Sequence, residues 1–274
     1  MSRVVVITGA GGVLCSGFAR ALAAKGDTVA LLDLNEEAAA KVAEEINAAG
    51  GRAVAYKADV LDKAALEAVH EKVLADLGPA TVLINGAGGN SPRCTTAHEI
   101  FEKGDETAES ISTFFNLDKE GFRFVFDLNL MGTLLPTQVF ARDMLGREGC
   151  CILNISSMNA FRPLTKIPAY SAAKAAVSNF TEWLAVHFAA EGIRVNAMAP
   201  GFFVTNQNRA LLFNADGTPT ARTDKILRAT PMGRFGKPEE LNGTLFWLTD
   251  AEASGFVTGI VVPVDGGFSA YSGV

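Results

Sequence analysis

Val4-Val-Val-Ile-Thr8-Gly9-Ala-Gly11-Gly12-Val13-Leu14 is the stretch that decides the architecture. A run of β-branched apolar residues with no polar face suits a strand covered on both sides. Glycines at 9, 11 and 12 let the backbone turn sharply, and an apolar helical pattern starts directly after them. Strand, glycine turn and helix N-terminus together offer backbone N–H groups and positive potential to an anion such as a pyrophosphate. In isolation the pattern is weak, and a tight turn without ligand is the alternative. Its place at the first strand–helix junction of the chain strengthens it.

The same alternation continues outward. Strands are expected over 4–8, 28–33, 52–57, 81–85, 151–156, 194–199 and 260–264, and helices over 12–25, 36–49, 63–77, 120–145, 169–191 and 238–248. Apolar strands alternating with amphipathic helices predict an α/β fold, a Rossmann-type doubly wound parallel sheet of about seven strands with helices on both faces. Ligands of such sheets lie at the carboxyl ends of the strands. No linker, repeat or low-complexity block divides the chain, so one domain over 1–274 is expected. Two segments break the rhythm. Residues 89–118 form a Ser/Thr-rich, acidic loop insertion, and 202–236 follow a strand end. Segments this long are lids, binding loops, oligomer arms or mobile surface loops, and a substrate-covering role is expected of 202–236.

The 274 residues include 49% apolar and 20% charged side chains, ordinary values for a globular enzyme. A formal charge of -6 without a Lys/Arg cluster argues against nucleic acid as a partner. No apolar run reaches membrane-spanning length, and the chain opens on a strand without a charged leader, which predicts a cytoplasmic protein with no membrane partner. Cys15, Cys94, Cys150 and Cys151 lack metal-ligand spacing and read as free thiols. His70, His98 and His187 are scattered, so no metal site is expected.

Chemistry concentrates in Tyr170-Ser-Ala-Ala-Lys174. Residues at i and i+4 share a helix face, and a nearby ammonium favours the phenolate, which predicts a lowered Tyr170 pKa. Asp33 ends the second strand 24 positions after Gly9. An acid there accepts hydrogen bonds from a ribose and repels a 2′-phosphate, so NAD is expected over NADP. Asp59 and Val60, read as closing the third strand, are candidates for the adenine, or Asp59 is a plain strand-end acid.

These residues resemble the short-chain dehydrogenase/reductase family from Val4 to Gly267. The glycine motif begins at Thr8-Gly9, and Asn85-Gly86-Ala87-Gly88 looks like the family's strand-four Asn-Ala-Gly element. Tyr170 and Lys174 match its YxxxK pair, Ser157 stands thirteen residues earlier, and Asn129 in Asp127-Leu-Asn-Leu matches its helix-four asparagine. The resemblance implies an NAD-dependent oxidoreductase, usually a homo-oligomer (tetramer or dimer), with Tyr170, Lys174, Ser157 and Asn129 as catalytic residues. Tyr170 would carry the proton, Ser157 would hold the substrate oxygen, Lys174 would lower the Tyr pKa and hold the nicotinamide ribose, and Asn129 would anchor a water. It also implies cofactor contacts from Gly9, Gly11, Gly12, Val13, Leu14, Asp33, Asp59, Val60, Asn85, Gly86, Ala87, Pro200, Gly201, Phe203 and Thr205. One departure stands out. The later two glycines of the family's TGxxxGxG fall at Val13 and Cys15, and altered contacts, not lost binding, are expected.

In the implied fold the strip between Ser157 and Tyr170 lines the substrate mouth. Asn159 would meet a hydroxyl, and Arg162 and Lys166 a carboxylate, with Arg93 and Arg209 as further candidates; ordinary surface charge is the alternative for each. Such a mouth suits a hydroxylated acid. The acidic insertion, Asn85-Gly-Ala-Gly-Gly-Asn90 and the C-terminal Asp265-Gly-Gly-Phe-Ser-Ala-Tyr resemble a branch described as D-mannonate oxidoreductases, or fructuronate reductases. That resemblance implies interconversion of D-mannonate and D-fructuronate, with another sugar acid or a polyol such as gluconate or sorbitol as the alternative. A dinucleotide sensor without catalysis is a further alternative, against which Tyr170, Lys174 and Ser157 argue. An epimerase or dehydratase that retains its NAD is another, against which the lack of a longer C-terminal substrate domain argues. Small residues Ala172, Ala173, Ala176 and Ala185 along 169–191 suit a close subunit contact or ordinary packing on the sheet.

Overall fold

In the computed structural model, residues 2–204 and 209–273 are described. The strands are β1 (Val4–Thr8), β2 (Thr28–Asp33), β3 (Arg52–Lys57), β4 (Val82–Asn85), β5 (Cys151–Ile155), β6 (Arg194–Pro200) and β7 (Val261–Val264). All pair in parallel, in the order β3-β2-β1-β4-β5-β6-β7. The helices are α1 (Val13–Ala23), α2 (Glu36–Ala48), α3 (Lys63–Asp76), α4 (Lys119–Phe126), α5 (Gly132–Phe140), α6 (Pro168–His187), α7 (Arg209–Leu212), α8 (Ala221–Ala229), α9 (Asn242–Thr249) and α10 (Ala251–Ser254). The expected strands are all present, with ends shifted by a residue at most.

The alternation of side chains along β1 builds two cores. Val5 and Ile7 point to one face, where they meet Phe18 and Leu22 of α1, Val42 of α2 and Leu245 of α9. Val4 and Val6 point to the other, with Leu66 and Val73 of α3, Phe140 of α5 and Leu184 of α6. Cys151 belongs to the first core and Cys150 to the second, as adjacent strand residues must, and all four cysteines are free and buried.

The pattern over 120–145 proves to be a helix with an interruption. Between α4 and α5 the residues Asp127–Met131 form a π-helical turn, and a 3-10 turn at Ala141–Met144 ends the run. A π turn widens the helix locally and re-aims side chains, a feature common at functional sites. The whole run Lys119–Met144 is long and apolar enough, by length and composition alone, to cross a membrane. Its Val125, Phe140 and Met144 are instead fully buried in the fold. Segment 202–236 carries α7 and α8, which its loop-like composition did not announce. Insertion 89–118 has only two 3-10 turns, yet Cys94 packs with Val125, Ala169 and Ala173 beneath Tyr170.

Across the middle of the sheet lies a buried polar ladder. Asn85 Nδ2 donates to Asn154 Oδ1 at 2.9 Å and to Thr137 Oγ1 at 3.0 Å, and Asn154 Nδ2 donates to Thr181 Oγ1 at 2.9 Å. It ties β4 and β5 to α5 and α6. Replacing Asn154 with Ala strands an Asn85 donor in a site without water access, so the loss should be about 2–4 kcal/mol. Urea denaturation should show it as a lower midpoint, and an unchanged midpoint would mean the ladder carries no stability.

Candidate active site

Strand order reverses at β1, and the cleft opens there. Helices leave β1 and β4 toward opposite faces, and a space of about 680 Å³ lies at the carboxyl ends of the strands. Gly9 takes φ +65°, and a Cβ on it would stand 2.9 Å from the backbone of Ala87. Gly11 donates its N–H to Asp33 Oδ2 at 2.8 Å, and a Cβ there would lie 2.7 Å from that of Ala38. Gly12 precedes α1 without a side-chain cap, so the first N–H groups of the helix stay available beside Val13 and Leu14. The other Asp33 oxygen accepts the Asn35 N–H at 2.8 Å. These features fit a dinucleotide: uncrowded amides for a pyrophosphate, and a fixed carboxylate one turn away for a ribose.

Most of the other expected cofactor contacts line the same cleft. Gly86 and Ala87 form one wall, and Pro200, Gly201 and Phe203 close the far end. Two placements differ. Because β3 stops at Lys57, Asp59 and Val60 lie in the loop beyond it, both on the cleft, with Asp59 Oδ1 taking the Leu61 N–H. Asn85 belongs to the buried ladder, and its side chain is not on the cleft wall. Thr205 lies outside the described residues.

Cys15 resolves the departure from the glycine pattern. Its Sγ occupies the place of a side chain on Gly86, since a Cβ built on Gly86 would lie 2.1 Å from it. Gly86 has no left-handed backbone, so it is crowding that forbids a side chain there, from this thiol and from the Thr8 carbonyl oxygen, which lies 2.9 Å from the same Cβ position. The space that a glycine would leave on the helix has moved to the strand end. Burial pushes the Cys15 thiol up to about 12, against the opposing charge of Lys174, which keeps it protonated at neutral pH.

Tyr170, Lys174 and Ser157 all face this cleft. Ser157 caps the short 3-10 turn Met158–Ala160, its Oγ accepting the Asn159 N–H at 3.2 Å, so it fills the strand-end role while facing the cleft. Burial raises the Tyr170 phenol above its usual value, opposed by the hydrogen bond with the Ser157 hydroxyl. Lys174 is not what lowers it, contrary to expectation. Its Nζ donates to the Ile155 carbonyl at 2.8 Å and sits 5.7 Å from the Tyr170 ring centre. Burial instead moves Lys174 itself from 10.5 to about 8. Asn129 sits in the π turn, fully buried, donating to the Gly89 carbonyl at 2.8 Å and the Val125 carbonyl at 2.7 Å. Gly88 makes room for both groups: its Cβ would be 2.6 Å from Asn129 Oδ1 and 3.1 Å from Lys174 Nζ.

The proposed substrate cations are dispersed. Lys174 is the one Lys or Arg on the cleft wall among the described residues. Arg93 pairs with Asp118, and Arg209 stacks 5.5 Å over Phe213. Lys166 adopts φ +72°, its carbonyl taking the Thr96 N–H of the insertion at 2.9 Å. Lys225 of α8 pairs with Glu99 of the insertion at 2.9 Å and, with Lys166 and Arg222, holds that carboxyl below its usual range. Arg162 donates through Nε to the Ser269 carbonyl at 3.0 Å. Asn159 is buried beside Ser157, its Oδ1 without a partner among the described residues. Leu128, Ser156 and Phe202 line the cleft without having been expected there; all three adjoin recognised motifs, Leu128 as the neighbour of Asn129.

A reversal-point cleft that fits a dinucleotide, with a half-buried Tyr170 beside buried Ser157 and Lys174 at its far end, defines a nicotinamide-dependent oxidoreductase. Residues 3–214 match the family described as short chain dehydrogenase, and the chain belongs to it. An uncharacterized oxidoreductase of Haemophilus influenzae is 60% identical over 273 residues, spanning 100% of this chain and 95% of that protein. A solved structure from Haemophilus under the provisional name D-mannonate oxidoreductase, with NAD bound, is 60% identical with a TM-score of 0.95, covering 99% of this chain and 96% of that one. A gluconate 5-dehydrogenase of Burkholderia cenocepacia in complex with NADP and tartrate is 31% identical with a TM-score of 0.82, covering 99% and 97%. The chain is thus a dehydrogenase/reductase that binds a nicotinamide dinucleotide.

Two outcomes test this geometry. Gly86→Ala should lower stability by about 1–3 kcal/mol and weaken dinucleotide binding, through overlap with Cys15. The Cys15→Gly/Gly86→Ala pair should regain part of both, the Thr8 carbonyl still crowding the new methyl, as measured by thermal unfolding and NAD titration; additive losses would refute the complementarity. For Lys174, the folded protein releases its proton before the unfolded chain does, between about pH 8 and 10.5. The group's contribution to stability therefore rises with pH across that window. Lys174→Met should lose more stability than the parent over it, in urea denaturation without cofactor; equal changes would show that Lys174 is not shifted.

Proposed function

We propose that this chain interconverts a secondary alcohol and a ketone on a sugar acid with NAD, and that the pair is D-mannonate and D-fructuronate. The convergence of Tyr170, Ser157 and the buried Lys174 on the far end of the cleft carries the reading. Bound NAD supplies the hydride acceptor or donor. Tyr170 passes the proton to or from the reacting oxygen, and Ser157 donates a hydrogen bond to that oxygen as charge develops on it. Lys174, pinned by the Ile155 carbonyl, sets the local positive charge and reaches the cofactor ribose. Asn129 holds the 88–89 backbone around the ammonium and gives its water a seat. Gly9, Gly11, Gly12, Val13 and Leu14 receive the pyrophosphate. Asp33, already bonded to two backbone amides, presents its carboxylate to the ribose and disfavours a 2′-phosphate, while exposed Leu34 offers that phosphate no cation.

The sugar-acid assignment draws on the provisional name and the gluconate enzyme among the similar proteins. The absence of a second cation from the described cleft wall favours a competing reading, a neutral polyol such as sorbitol. A homo-oligomer working in the cytoplasm is also proposed; Phe124 of α4 and Trp183 and Val186 of α6 are exposed, as an interface between copies would require.

A panel of sugar acids and polyols, followed by NADH absorbance, decides the substrate: D-mannonate or D-fructuronate should give the highest kcat/KM, and sorbitol leading would overturn the assignment. Tyr170→Phe should reduce kcat at least about 100-fold with NAD binding kept, from loss of the proton donor; near-normal turnover would reassign the acid. NAD should exceed NADP in kcat/KM by at least about tenfold, with Asp33→Ala narrowing the gap.

A further inference from the structure

The C-terminal segment after β7 closes a ring around the mouth of the cleft. Asp265 organises it, one carboxylate oxygen accepting the Gly267 N–H at 2.9 Å and the other the Ser269 N–H at 2.8 Å. Gly201 on the cleft wall lies so close to Asp265 that a Cβ would stand 2.6 Å from its Cα. The Phe268 ring meets Phe202, another wall residue, edge-on at 5.4 Å. On the opposite side the Arg162 amide bonds the Met158 carbonyl at 3.0 Å, one residue beyond Ser157, and its Nε reaches the Ser269 carbonyl at 3.0 Å. The ring thus runs from Ser157 through Met158, Arg162, Ser269 and Phe268 to Phe202.

In this ring Arg162 uses only Nε. Its two Nη groups have no partner among the described residues, and the side chain is exposed at the rim. A guanidinium fixed by one bond to a carbonyl loses little further freedom on binding an anion, and its free edge matches a carboxylate. Arg93 is neutralised by Asp118, Arg209 lies over the Phe213 ring, and the Glu99 carboxylate near Lys166 is paired with Lys225. Arg162 is the rim cation that the C-terminal segment itself fixes, with an unspent face.

We propose that residues 268–273 are a wall of the substrate site and that Ser269 positions Arg162 to hold the carboxylate of an acidic substrate. The inference rests on the sugar-acid reading above, and it adds the C-terminal segment as a specificity element. Arg162→Gln keeps an N–H donor for Ser269 while removing the charge. It should raise KM for the preferred sugar acid at least about tenfold, the order expected from losing a charged hydrogen bond, with the dissociation constant for NAD held within about twofold. A chain ending at Gly267 should show a similar rise, and combining the two changes should add little. Unchanged acid KM in both, with the acid still turned over, would overturn the proposal and leave the sugar-acid reading intact. A second measurement needs no turnover: tartrate and gluconate should raise the melting temperature of the NAD-saturated parent and not that of Arg162→Gln. Turnover of polyols alone, with that Arg162-dependent shift kept, would sink the sugar-acid reading and leave the carboxylate site. If the truncated chain unfolds, Arg162→Gln decides by itself.

Discussion

The first turn lies directly against the end of β4, and the cleft exists because of that contact. Gly9 touches the Ala87 backbone, and Cys15 fills the notch of Gly86. A parallel sheet that reverses order at its centre leaves a crevice, but its depth depends on how near the two strand ends approach. Here the approach is limited by backbone atoms. Asp33 then fixes the turn from the other side through the Gly11 amide, so the carboxylate that faces a ribose also holds the loop that faces a pyrophosphate.

The chemical end of the cleft is held by a second device, polar groups buried and paired. The ladder from Asn85 to Thr181 locks β4 and β5 to the helices that carry Asn129 and Tyr170. Thr133 Oγ1 donates to the Asn129 carbonyl at 2.8 Å within the same helix, where the π turn loosens the backbone bonding. Lys174 is brought into this low-dielectric setting with one carbonyl partner, which is why its ammonium loses part of its hold on its proton.

Much of the fold was legible because its signals are local and repeated. Apolar runs such as Val4–Thr8 and Arg194–Pro200 have only one stable home, the middle of a covered sheet. Tyr170, Ser157 and Lys174 come together because strand ends and one helix face converge there, which periodicity and family resemblance both anticipate. The electrostatics were less legible. Spacing puts Lys174 beside Tyr170, but the charge effect depends on where the ammonium points, and it points to Ile155. The partners of the rim cations were hidden for a related reason: long side chains find them far away in sequence, as Arg162 does with Ser269. The π turn has no composition of its own, and α8 is too short for its amphipathic pattern to stand out from a loop.

The fit between Cys15 and Gly86 also has a direction in time. A chain with any side chain at 86 has no room for a thiol at 15, whereas a chain with glycine at both positions has only a small void. Any exchange of a side chain at 86 for the thiol at 15 therefore has a forced order, with position 86 cleared first. Because the Thr8 carbonyl crowds position 86 as well, giving up the thiol does not by itself readmit a side chain there.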